Sequence, residues 1–298
     1  VDLVADEGMK RIAGESYPSV KQTLNTCGLA SMAMIFLHHA PFIKEFLLKV
    51  DERILQRPGT GKSAVLEPVP RREEDEAIIS ALGYLLLKAA NSRRLRFLLS
   101  KATNPFDYDD FRISIQLMLG TTEAERELKK NPELQTLFKL YQGGIIRKKF
   151  LRFYLSRFKT QLELKMLAAL FGFKFVPYAT ETMGNLYFEN HDDMDRADKI
   201  DFIRQRFADG QHAVLLGHGQ LHWMVPHTLY ENGNEKYVLE INDPLGGSTL
   251  MPVEKLDHTY IFYFFKFNET ICRRNIAILE EILHFLKKAD ATQPAQSE

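Results

Sequence analysis

The spacing of apolar residues changes once along this chain. From about residue 27 to residue 171 it follows the three-to-four-residue period of helices, and beyond residue 172 it follows the two-residue period of strands. The first helical run, CGLASMAMIFLHH, sets Leu29, Met32, Ala33, Ile35 and Phe36 in register, and Asn25 and Thr26 ahead of it are capping residue types. The pattern predicts a helix from Cys27 to His39 that stops before Pro41. Further helices are predicted over 42–56, over 73–87 through Ile78, Ile79, Leu82, Leu85 and Leu86, and over 91–101, 110–119, 122–130 and 132–141. Pro132 suits a helix start. Residues 145–171 read as one long or kinked amphipathic helix. QRPGTGKSAVLEPVPRR, punctuated by Gly and Pro, reads as an exposed loop, and residues 1–26 as irregular chain with a turn near Tyr17-Pro18.

Five later stretches are strand-like: 172–179, 212–219, 222–231, 236–244 and 259–267. A helix over 195–208 lies among them and a last helix spans 271–288. ENGNEK between the third and fourth strands is a hairpin turn. Helices first and antiparallel strands afterward make an α+β layout. Its segments are 1–41 with the cysteine helix, a helical layer over 42–171, an antiparallel β core with a terminal helix over 172–288, and a polar tail over 289–298 expected to be disordered.

Composition narrows the class. The chain has 298 residues, 45% of them apolar, which is enough for a substantial core. Its 39 basic and 39 acidic side chains cancel, so bulk charge does not draw it to nucleic acid, and no nucleic-acid partner is expected. No stretch approaches the ~20 apolar residues of a membrane span, and the acidic start VDLVADEG is unlike a signal peptide. A soluble protein is expected, its location open. Cys27 and Cys272 stand in different contexts and read as free thiols.

Candidate chemistry begins with Cys27. A thiol at a helix N-terminus meets unpaired N–H groups and the positive end of the helix dipole, which favour a thiolate. A nucleophile at this position needs a base, because a free thiol with pKa ~8.5 keeps its proton at neutral pH. His222 opens the strand HWMVPHTLYE, and Asp243 ends the next strand. The two positions are nearly mirror images about the ENGNEK turn, so a hairpin brings an imidazole beside a carboxylate. Asn242 is the alternative partner, but adjacent strand residues face opposite ways, so only one of the two orients His222. Gln22, five residues before Cys27, offers a side-chain amide that together with the Cys27 N–H would hold an oxyanion.

Gln22, the run Cys27-Gly28-Leu29-Ala30-Ser31-Met32, then His222-Trp223-Met224-Val225 and Asp243-Pro244 with Gly246-Gly247, resembles the papain-like cysteine peptidases. Within them it is most similar to the bacteriocin-leader-processing group. The resemblance covers about 20–36 and 212–247, and the long helical region between belongs to no pattern of that group. It implies a papain-like fold with a central N-terminal helix and a large helical insert. It also implies Cys27 as nucleophile, His222 as base, Asp243 as orienting acid and Gln22 as oxyanion donor. The implied activity is hydrolysis of a peptide or isopeptide bond in a protein or peptide substrate, with no cofactor. Two other readings remain open: a deamidase or transglutaminase acting on a protein Gln, and a non-catalytic adaptor that binds through the helical insert.

Other motifs weigh less. GTGKS at 59–63 lacks the first Gly of a phosphate loop, and Pro68 and Pro70 break the helix that should follow. HDDMD at 191–195 lacks the Gly and terminal Glu of a calcium loop. His212, His218, His222 and His227 cannot converge on one ion from straight strands, so no metal site is expected. RKKFLRFYLSRFK at 147–159 is basic and aromatic. It reads first as the solvated face of a core helix, and second as a contact for an acidic partner or a membrane surface.

Overall fold

The computed structural model describes residues 9–22, 26–55, 73–102, 105–119, 141–142, 147–155, 161–176, 186–187, 196–217, 222–233, 236–256 and 260–291. The described elements are β1 (Met9–Gly14), α1 (Cys27–His39), α2 (Pro41–Leu55), α3 (Glu74–Asn91), α4 (Arg93–Ala102), α5 (Pro105–Leu119), α6 (Lys148–Leu155), α7 (Gln161–Leu170), β2 (Phe173–Val176), β3 (Leu186–Tyr187), α8 (Arg196–Ala208), β4 (Gln211–Gly217), β5 (His222–Asn232), β6 (Lys236–Asn242), β7 (Ser248–Pro252), β8 (Tyr260–Phe267) and α9 (Glu269–Ala291). The mixed α+β class and the order of helices before strands match the sequence pattern. The predicted loop at 56–72, the helix at 122–130 and the polar positions 191–195 lie outside the described residues.

The strands form one antiparallel sheet in the order β2-β8-β4-β5-β6-β7, with β3 added to β8 and β1 to β5. Strand β5 is its pivot. Its first residues, His222 to Met224, pair with β4, while Thr228 to Asn232 pair with β1 along that same edge. Its other edge pairs with β6 from Val225 to Asn232. Pro226 donates no hydrogen bond, and the β5–β6 register shifts between Pro226 and Thr228, leaving His227 as the extra residue of a bulge. The His227 carbonyl is not wasted: it accepts the Glu15 N–H at 3.1 Å.

Period-two alternation sorts the sheet into two faces. Val214, Trp223, Val225, Ile261, Tyr263 and Phe265 face the larger core, which α1, α2, α3, α7 and α9 also fill. Ala213, Leu215, Met224, Phe262 and Phe264 face a smaller core closed by Ile200, Ile203 and Phe207 of α8. Helix α1 lies at the centre of the larger core, buried on every side from Cys27 to Phe36. An all-apolar run of that kind suits a fully enclosed helix. Segments 1–41, 42–171 and 172–288 therefore all contribute to this one core.

Three features differ from the sequence pattern. Residues 9–14 are strand, although only Met9, Ile12 and Ala13 among them are apolar beyond the glycine, because the edge of β5 beyond β4 is open for pairing. Ser248–Pro252 forms β7 by returning from the loop after Asp243. The expected disordered tail begins too early: α9 runs through Ala291, since LKKADA continues the helix without a breaker.

Candidate active site

Cys27 is the first residue of α1 and is 5% exposed. The Thr26 carbonyl accepts the Ala30 N–H at 3.0 Å, which closes the first turn immediately after the thiol. Burial of Leu29, Met32 and Phe36 beyond it anchors the helix, so the thiol's position is set by core packing.

His222 is the first residue of β5, opposite Gly217 of β4. Its Nε2–H donates to Asp243 Oδ1 at 2.7 Å. Cys27 is close enough for its side chain to act on this imidazole, and with Nε2 on the carboxylate, Nδ1 is the ring nitrogen left to face it. The bond to Asp243 first, then the neighbouring Cys27, raise the His222 pKa to about 9 against the opposing effect of burial. The imidazole is therefore a cation at neutral pH.

Asp243 opens the five-residue loop, 243–247, that joins β6 to β7. The loop folds back on it: Asp243 N–H donates to Gly247 O at 2.9 Å, Gly246 N–H to Asp243 O at 3.0 Å, and Leu245 N–H to Asp243 Oδ1 at 2.8 Å. Gly247 has φ +93°, a backbone state that side-chain-bearing residues rarely adopt. Burial acts to raise the carboxyl's pKa, but the bonds from His222 and Leu245 outweigh it and hold the group below its ordinary value. His222 and Asp243 thus form an imidazolium–carboxylate pair.

Gln22 reaches this loop through its backbone. Its N–H donates to Pro244 O at 2.8 Å. Residues 23–25, including Asn25, lie outside the described residues. Asn242, the alternative partner for His222, faces the other way. Its Nδ2 donates to Tyr17 O at 3.2 Å, and its Oδ1 accepts from His227 Nε2 at 3.3 Å. The alternation of the strand thus assigns Asp243, not Asn242, to His222.

The second thiol is in a different setting. Cys272 is fully buried in α9 with its pKa pushed up to about 12, chiefly by burial and only partly offset by Arg273. The histidines considered for a metal separate in the same way: His222 meets Asp243, His227 meets Asn242 and Thr228, and His212 meets Tyr17 and His39. His218 lies outside the described residues, and among the described residues no three His, Cys, Asp or Glu side chains converge as metal ligands. In the basic stretch, Arg147, Lys148 and Lys149 are exposed while Phe150 and Leu151 enter the core, the pattern of a solvated face on a packed helix. What sequence spacing missed is a group of polar rings around Tyr17, contributed by positions up to 210 residues apart. No protein-family model matches the chain, and no curated protein or solved structure matches it.

Proposed function

We propose that this chain is a papain-like thiol hydrolase that cleaves a peptide or isopeptide bond of a protein or peptide substrate. One observation carries the reading: a single imidazole, His222, is hydrogen-bonded to a carboxylate and is acted on by a thiol that begins a buried helix. The order of Gln22, Cys27, His222 and Asp243 along the chain supports it through the resemblance to papain-like cysteine peptidases.

The chemistry follows from these positions. An imidazolium beside a thiol stabilises the thiolate, which attacks the substrate carbonyl. The Cys27 N–H and the Gln22 side-chain amide hold the resulting oxyanion. His222 gives its proton to the departing amine as the C–N bond breaks, leaving a thioester on Cys27. Water then attacks the thioester, His222 takes the water's proton, and the acid product leaves with the thiolate restored. Asp243 holds the ring so that Nδ1 faces sulfur throughout.

The test is covalent labelling of native protein by a peptidyl vinyl sulfone, read by intact and peptide mass spectrometry. One adduct on Cys27 is expected, and it should be lost in His222→Ala. A native protein that takes no adduct at Cys27 would sink the reading. Terminal labelling of protein mixtures treated with active or Cys27→Ala protein then defines the reaction. New N-termini mark hydrolysis, whereas conversion of Gln to Glu without new termini marks deamidation instead.

A further inference from the structure

Four of the nine histidines meet around Tyr17 at the end of α1 remote from Cys27. Twelve residues of helix separate His39 from Cys27, roughly 18 Å along the axis. Tyr17 Oη lies 2.5 Å from His212 Nδ1, and His39 Nε2 lies 3.0 Å from that same nitrogen. The Tyr17 ring stacks on His38 at 4.3 Å and on His227 at 5.6 Å between centroids. None of these contacts is needed for the proposed chemistry at Cys27.

The cluster holds down one piece of chain, residues 15–22. That segment is fastened by four further bonds: Glu15 N–H to His227 O, Asn242 Nδ2–H to Tyr17 O, Lys21 N–H to Asp75 Oδ2 of α3, and Gln22 N–H to Pro244 O. We propose that the Tyr17 histidine cluster is an acid-sensitive latch, which fastens residues 15–22 across α1, β4 and β5 at neutral pH and releases them in acid. On the hydrolase reading, on which this consequence rests, release withdraws Gln22 from the loop that carries Asp243.

The charges around the cluster explain why it is a latch rather than a fixed strut. His39 and His212 face each other, so one ring's charge opposes the other's. Glu15 is bound to His38 Nε2 at 3.0 Å, and its charge opposes the lowering of His39 without outweighing it. From β6, Glu240 lies 3.9 Å from His227 Nδ1. From α8, Arg206 reaches Gln211 beside His212 and adds positive charge. Phe173 of β2 and Phe267 of β8 close the His39 side with apolar rings. Burial first, and the neighbouring histidines second, lower His39 to about 4 and His212 to about 3. Burial likewise lowers His227, with Glu240 opposing. A cavity of about 160 Å³ lined by Glu15, Tyr17, His38, His39 and His212 lies beside the rings and admits water to them.

The sign is definite. Both rings are neutral when latched and bind protons at ordinary histidine values once released and solvated. Each ring therefore favours release by up to tenfold per pH unit below about 6.5. Two rings together raise the open population about a thousandfold between pH 8 and pH 5.

Hydrogen exchange by mass spectrometry, corrected for the intrinsic pH dependence of exchange, measures this directly. It is run on wild-type and Cys27→Ala protein, so that its outcome does not depend on thiol chemistry. Peptides spanning 9–22 should lose protection between pH 7 and pH 5 with a slope near two protons, while α3 peptides stay protected. His39→Gln and His212→Asn place an amide at the bonded ring positions without a titrating group, and the double variant should flatten the slope. The proposal is overturned if wild-type 9–22 protection is flat over this range, or if α3 opens in parallel. It is equally overturned if the folded double variant retains the wild-type slope. The wild-type arm decides on its own should the variants misfold.

Discussion

Cys27 and Cys272 are both buried, yet only Cys27 has an imidazole beside it. Cys27 shares His222 with Asp243, whereas burial of Cys272 pushes its thiol toward about 12. Limiting iodoacetamide at pH 7 should therefore label Cys27 at least tenfold faster than Cys272 in native protein, and His222→Ala should remove most of that advantage. Peptide mass spectrometry ranks the two sites, and preferential labelling of Cys272 would reverse the assignment. The contrast between Asp243 and Asn242 gives a second test. Asp243→Ala removes the acceptor of the His222 Nε2–H and should lower turnover about a hundredfold or more. Asn242→Ala breaks a link between His227 and Tyr17 and should cost only a few-fold. A larger loss at Asn242 would exclude Asp243 as the orienting group. Linkage supplies a third. The folded pKa of His222 is above the unfolded value, so the pair's contribution is complete below pH 6.5 and is lost as pH rises through about 9. Partial solvent screening reduces it to about 2 kcal/mol. Denaturant midpoints for wild-type protein should fall over that alkaline window, and His222→Phe should flatten the change.

At the scale of elements, β5 does most of the positioning. It starts at the base, pairs with β4 for three residues, bulges at His227 and then trades β4 for β1. The approach of β1 is close enough to dictate a residue type. Gly14 has φ +85°, and a Cβ there would lie 1.9 Å from the His227 carbonyl oxygen. Gly14→Ala should therefore destabilise the protein by about 2–4 kcal/mol. Chemical denaturation reads this, and a loss below about 0.5 kcal/mol, the size of an ordinary surface substitution, would mean that β1 shifts without cost. The boundaries of α1, α8 and β5 followed from periodicity because their apolar positions bury against two or more partners at once. The strands β1 and β7 did not, since MKRIAG and STLMP carry weak alternation and become strands by pairing with exposed edges of β5 and β6.

Across the whole molecule the helical layer and the catalytic candidates share one core. Ile78, Leu82 and Leu86 of α3 are fully buried in the cluster that also contains Leu29 and Phe36 of α1 and Val225 of β5. The position of Cys27 therefore depends on residues 42–171. A chain with that segment replaced by a short linker should fail to fold, because it exposes the buried faces of α1 and of the sheet at about 25 cal/mol per Å². Circular dichroism and soluble yield check this, and a soluble, cooperatively folding product would show the layer to be an independent addition. A milder probe is Leu82→Ala, which should cost about 2–5 kcal/mol and lower Cys27 labelling only as far as it lowers the folded fraction. Selective loss of labelling in folded protein would show that α3 also shapes the site directly.

The sequence by itself determined the α+β order, the start of α1 at Cys27 and the hairpin symmetry that pairs His222 with the 242–243 region. Those are local properties: a 3.6-residue period, and two alternating strands about one short turn. Only the tertiary structure decided which of Asn242 and Asp243 meets the imidazole, because the bulge at His227 and the folded loop 243–247 set the facing of each side chain. It alone brought Gln22 to Pro244 and gathered Tyr17, His38, His39, His212 and His227. Those residues lie on β5 and on four other stretches of chain with no shared period. Their meeting depends on how α1 packs on the sheet, which no local spacing encodes.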